Sequence, residues 1–310
     1  ASGVVAQAKR FFIEGAEWPA GVYASTNCAK ITGSGLLLVG AEPGQWTGGA
    51  GDDNWGTAAN WVAGIIPSGL YAVADLSAAV SNAAPIRTLI LNMGGITNKQ
   101  MTFSSGVTGA ALTNTCPAGV TNTLFLAPEG VVDVGEGQTL VLDHDLCIMG
   151  NIHKRGLGTL VLKRSVYTLP SLVTPISAIY LFVDGGKVIN EGPMRDMLIS
   201  VGKLSRADPG PTPEFILADK PETSLGGTCF ITTINAGATV PGPGIFTQNG
   251  GTVNPAISWG VRVALGHTTV FVNTPGTGTY NLVNGTLTVT NELRFGRNGP
   301  SLDGHYGIFN

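Results

Sequence analysis

The residues in this chain best placed to do chemistry are Asp143, His144 and Asp145. On an extended strand, residues two apart project from the same face, so Asp143 and Asp145 form a carboxylate pair. Such a pair suits two tasks. It supplies oxygen ligands to a structural Ca²⁺, or it serves as acid and base in glycoside hydrolysis. A second acidic pair, Asp52 and Asp53, closes the glycine-rich run at 48–53 and suits a loop calcium site. No further acidic or basic partner stands near Asp143 and Asp145 in sequence. The pair therefore reads first as an exposed strand face between Leu142 and Leu146, and no catalytic residue is expected.

Other reactive constellations are missing from the sequence. The four histidines (His144, His153, His267 and His305) match no H-E-x-x-H spacing. There is no G-x-S-x-G nucleophile elbow and no phosphate-binding P-loop. The four cysteines, Cys28, Cys116, Cys147 and Cys229, include no C-x-x-C step, which disfavours a zinc ribbon or a redox dithiol. They read equally as two disulfides in an oxidising compartment or as single buried thiols. Trp46, Trp55 and Trp61 fall among Gly, Asn and Asp at spacings that fit no helical period. The simplest reading is a compact loop whose indoles pack on the body of the fold. The sharper one is a platform on which sugar rings stack.

The elements that would hold these residues are short and turn-rich. Forty-five of the 310 residues are Gly, only 12% are charged, and Gly, Asn and Pro punctuate brief apolar runs. That is an all-β composition. With 17 basic and 20 acidic residues, the net charge of −3 argues against a nucleic-acid partner, whose phosphates call for many Lys and Arg contacts. No apolar run is long enough for a transmembrane helix. The stretches 244–253 and 279–289 repeat one unit, an aromatic residue followed by a Gly-Thr step and apolar alternation, and a further copy begins near Tyr306. A strand-and-turn repeat of this kind marks a stacked solenoid. Four segments follow: a cap or edge strands at 1–45, a solenoid at 46–192 with a Trp-rich opening, an irregular Pro-rich insertion at 193–224, and solenoid repeats at 225–310. Met194, Met197, Leu198 and Val201 have helical spacing, so a short helix is expected over 194–204.

Three blocks resemble the autotransporter-associated β-strand repeat. They are Lys154-Arg155-Gly156-Leu157-Gly158-Thr159-Leu160-Val161-Leu162 with Tyr167 and Val183-Asp184-Gly185-Gly186, the Trp46-Thr47-Gly48-Gly49 opening with Trp55 and Asn60-Trp61, and the C-terminal copies with Glu292–Arg297. The resemblance covers more than half of the chain. It implies a right-handed parallel β-helix exported to the bacterial cell surface, extracellular, with its signal peptide already removed. The expected function is that of a non-enzymatic structural or adhesive scaffold that assembles as a homo-oligomer or polymer through its solenoid ends. The alternatives are a surface module that binds glycans through Trp46, Trp55 and Trp61, and a β-helix polysaccharide lyase or hydrolase.

Overall fold

The computed structural model describes residues 5–8, 11–18, 21–33, 36–39, 44–69, 72–168, 179–194, 197–202, 210–219, 224–225, 229–231, 243–253, 262–265, 277–288, 292–295 and 306–310. Its body is a parallel β-helix. Every coil visits three sides in turn. The first side is a nine-stranded sheet that runs from Ile86–Ile90 through Ala111–Thr115, Thr139–Asp143, Thr159–Leu162, Lys187–Asn190, Glu214–Leu217, Gly244–Gln248 and Thr277–Leu282 to Tyr306–Phe309. The second and third sides are the two halves of a fifteen-stranded sheet. Thr123–Val134 spans both halves as one hydrogen-bonded strand, and its register shifts between Leu126 and Val131. The fold bends there at Pro128-Glu129-Gly130, where Glu129 takes a φ of 55°.

Alternation along many of the short strands explains why the chain coils. On the first side, Leu112, Leu140, Leu160, Val188, Phe215, Phe246 and Tyr280 point inward and are almost wholly buried. Each stands in register with the next, and Phe309 continues the row. A parallel sheet places register partners about 4.8 Å apart, so like side chains stack into ladders. The aliphatic ladder becomes aromatic towards the C-terminus. Phe215, Phe246, Tyr280 and Phe309 stack with centroid spacings of 5.2, 4.9 and 5.3 Å. The repeated units at 244–253 and 279–289 are thus successive coils, with Phe246 over Tyr280 and Thr252 over Thr286. Replacing Phe246 by Leu keeps most of the apolar bulk but breaks two ring contacts. The expected cost is about 1 kcal/mol, read from the urea midpoint.

Two expectations are corrected here. The described residues of 194–204 form no helix. Pro193–Met194 pairs with Val166 and with Ser224–Leu225, and Leu198–Val201 pairs in parallel with Tyr180–Val183. Met194, Met197, Ile199 and Val201 are all buried, but Met194 pairs on the second side and Leu198–Val201 on the third, so they share no helix face. Pro193–Met194, Leu198–Val201 and Glu214–Leu217 are accordingly rungs of the helix and not part of an insertion. Residues 195–196, 203–209 and 220–223 of that segment lie outside the described residues. At the N-terminal end, Val5–Ala8, Leu36–Val39 and Gly21–Tyr23 form a separate three-stranded sheet, and Phe11–Ile13 with Ala16–Trp18 forms a hairpin.

Candidate functional site

The corner between the first and second sides carries a dense set of polar side chains. In one coil, Asp143 ends Thr139–Asp143 and Asp145 opens Asp145–Ile148, so His144 alone turns the corner. The alternation holds through the turn: His144 is 2% exposed, while both aspartates face outward. The next coil sets Lys163, Arg164 and Ser165 at the same corner, and the one after it sets Glu191, Gly192 and Pro193 there. With Thr121 from the preceding coil, these residues line an open groove of about 500 Å³. The expected common face of Asp143 and Asp145 is present. Its cationic partners come from a coil twenty residues further on, a distance that only the coil length reveals.

Backbone pairing makes the groove floor rigid. Lys163 N donates to Leu142 O at 3.0 Å, Glu191 N to Leu162 O at 2.8 Å, and Leu146 N to Ser165 O at 2.8 Å. Buried Asn190 pins the last corner by donating from Nδ2 to Gly192 O at 2.7 Å. Gly192 packs so closely under the preceding coil that a side-chain carbon there would strike the Arg164 backbone. Charges alternate along the groove. Arg164 Nε donates to Asp143 Oδ1 at 2.9 Å, and Lys163 Nζ stands 3.8 Å from Asp143 Oδ2. The hydrogen bond from Asp143 and its charge hold the Arg164 guanidinium above its ordinary range, with a smaller push from Asp145. The Asp145 carboxylate makes no hydrogen bond to another described residue.

The tryptophans are elsewhere and do something else. Trp46 and Trp55 are fully buried and Trp61 is 2% exposed, which overturns a sugar-stacking platform built on their faces. Trp61 packs edge-on against both partners, at 5.0 Å from Trp46 and 4.8 Å from Trp55, and its Nε1 donates to Trp55 O at 2.7 Å. Backbone bonds dock the block on the first coil, from Trp55 N to Ile90 O and from Trp46 N to Asp75 O. The indoles belong to the core because they cover the end of the first coil. Asp52 ties the same block together. It accepts from Thr57 Oγ1 at 2.7 Å, Asn60 Nδ2 at 2.6 Å and Asn54 N at 3.1 Å, and these bonds, that of Thr57 foremost, hold its carboxyl well below the usual range. Asp53 instead pairs with Arg87. Neither these two nor Asp143 and Asp145 fall into a cluster of three or more His, Cys, Asp or Glu side chains that would cage a metal ion, among the described residues.

Cys28, Cys116 and Cys147 are free thiols, which removes a framework of two disulfides. Cys116 lies at a corner and accepts from Asn122 N at 3.2 Å. Cys147 is buried on the second side, beside its register partner Tyr167, whose hydroxyl stands 3.5 Å from Thr123 Oγ1 two coils away. Burial pushes the Cys147 thiol up. Cys229 lies on Cys229–Ile231, and its side chain is outside the described residues, as are His267 and His305.

Two features escaped the sequence reading. Lys154 is wholly buried and donates to three backbone carbonyls, Arg155 O at 2.8 Å, Gly156 O at 2.9 Å and Gly185 O at 3.0 Å. Burial pushes its amine down to about 8, against the opposing pull of Asp133 and Asp184. On the third side His153 stacks on Phe182 at 4.7 Å, with Nδ1 2.7 Å from Asp184 Oδ2. The K-x-G spacing at Lys154 was the available signal for the first. The second needs the coil register that sets His153 beside Phe182.

The fold and the corner groove define this chain as a parallel β-helix with a polar, charge-alternating corner. No protein-family model, curated protein or solved structure matches it.

Proposed function

We propose that this chain is a non-enzymatic structural or adhesive scaffold of the bacterial surface. The observation that carries the reading is the unbroken register of its ladders. Side chains on the first side stay in step from Leu112 to Phe309 although coil length varies from twenty residues (Thr139 to Thr159) to thirty-four (Ile245 to Thr279). Selection for a straight stacked core explains that constancy better than selection for one reactive site. The charged groups support it too. Many are engaged in pairs between coils, such as Asp143 with Arg164 and Lys187 Nζ with Glu214 at 3.1 Å. The likeness of the Lys154–Leu162 block to autotransporter-associated repeats supports a scaffold outside the cell, and stacked coils lend themselves to end-to-end assembly.

The test displays the chain on a non-adherent bacterial host and measures cell–cell and cell–surface attachment, with negative-stain imaging of the purified protein alongside. Attachment or regular polymers are the expected results. Hosts that stay non-adherent, together with purified protein that stays monomeric at high concentration, would overturn the scaffold reading. Release of reducing ends from any polysaccharide, abolished by Asp143→Ala, would replace it with an enzymatic one.

A further inference from the structure

We infer that the corner groove binds an uncharged oligosaccharide laid parallel to the helix axis. Three observations select this ligand class. The first is charge. Asp143, Asp145 and Glu191 alternate with Lys163 and Arg164 within one groove, and the hydroxyls of Thr121 and Ser165 lie among them. A polyanion would face three carboxylates and a polycation would face two cations. Sugar hydroxyls donate and accept, so they match a surface that interleaves both kinds of group.

The second observation is the state of the backbone. Main-chain groups along the groove floor are engaged in coil stacking, as in the bonds Lys163 N to Leu142 O, Glu191 N to Leu162 O and Leu146 N to Ser165 O. A peptide strand adds to a sheet through free main-chain groups at an edge, and the floor at these positions offers none. Recognition at these positions falls to side chains, which favours a ligand that carries its own hydroxyls.

The third is spacing. The groove crosses four successive corners, so it repeats every ~4.8 Å and extends roughly 14 Å over three steps. One pyranose ring advances an extended chain by nearly the same step. A run of about three rings would present equivalent hydroxyls to successive corners, with Pro193 as the apolar wall at one end. Within this arrangement Asp145 is the most available acceptor, because Asp143 is held by Arg164.

The experiment titrates the purified chain with neutral cello-, manno- and chito-oligosaccharide trimers, with oligogalacturonate as the acidic arm and a flexible mixed-charge peptide as the protein arm. Isothermal titration and ligand-observed NMR report binding. At least one neutral trimer is expected to bind. Asp145→Asn and Glu191→Gln should each weaken it about tenfold, the loss expected when a charged hydrogen-bond acceptor is removed. Asp145→Asn should leave the melting temperature unchanged, which separates lost recognition from lost folding. Saturation by a neutral trimer with turnover that Asp145→Asn removes would keep this site and overturn the non-enzymatic reading instead. Failure of every neutral trimer at millimolar concentration would overturn the inference, as would affinity untouched by both substitutions or preference for oligogalacturonate or the peptide.

Discussion

Replacing Lys154 with alanine is expected to destabilise the β-helix by about 4 kcal/mol, the sum of a cavity and of carbonyls left without a donor. The ammonium donates to Arg155 O and Gly156 O in its own coil and to Gly185 O in the next, at 2.8, 2.9 and 3.0 Å. These carbonyls belong to the corner between the third and first sides, where Gly156 takes a φ of +70° and a side chain would strike Val134 O. A corner that tight turns its carbonyls inward and needs a buried donor. A long flexible stem that ends in three N–H groups meets that need. Although burial pushes the amine down to about 8, it is still charged at pH 7, so the carbonyls face an ammonium. Lys154→Met restores the stem without the donors. It should recover the packing part and still lose about 2 kcal/mol. Urea unfolding of both variants checks the prediction. Equal stability of the methionine variant and the parent would show that Lys154 only fills space.

Lys154 also shows how far the sequence could be read. The K-x-G-x-G-T-L block marks a coil, because its two glycines and its alternating Thr159–Leu162 run are local signals. The task of the lysine is not local, since Gly185 lies 31 positions away. The same limit explains the corner groove. Period-two alternation predicts that Asp143 and Asp145 share a face, and they do. Lys163, Arg164 and Glu191 join them only because the intervening coils have particular lengths, and those lengths follow no fixed repeat. Short coil strands can also imitate another period. Met194 ends a strand of the second side and Met197 precedes one of the third, so two buried residues three apart look like one face of a helix. The sequence leaves the tryptophans open between a packed loop and a sugar platform for a different reason. Spacing excludes a helical stripe, but an indole that caps a core and an indole that binds a sugar have the same neighbours in sequence. Only the edge-on packing of Trp61 against Trp46 and Trp55 tells them apart.

Acid should weaken the helix through His144, and the loss should amount to roughly 3 kcal/mol between neutral pH and pH 4. The ring turns the corner between Asp143 and Asp145 but points into the core, near Leu142 and Leu146 in sequence, both almost fully buried. Its Nδ1 lies 3.1 Å from Asp145 O, and its buried Nε2 has no hydrogen-bond partner. Burial pushes the imidazole down from 6.5 to about 4, helped slightly by Arg164 and opposed by the Asp145 carbonyl and the charges of Asp143 and Asp145. The folded-state value is thus below the unfolded one. Above pH 6.5 neither state binds the proton, and the contribution of the neutral ring is intact. As pH falls from 6.5 towards 4 the unfolded chain takes up the proton first and stability drops. Below about 4 both states are protonated and the loss levels off. A gap of about 2.5 units at ~1.4 kcal/mol each gives the stated size. His144→Phe keeps a flat ring and removes the titration, so the difference in unfolding free energy between parent and variant should slope across pH 4–6.5 and be flat above it. Parallel curves would refute the assignment. Proton uptake by the ring once the corner opens should also show locally. Lys163 N bonded to Leu142 O and Leu146 N bonded to Ser165 O flank this corner, so their amides should lose hydrogen-exchange protection at pH 5 before those of the Phe215–Tyr280 ladder, and in the parent only.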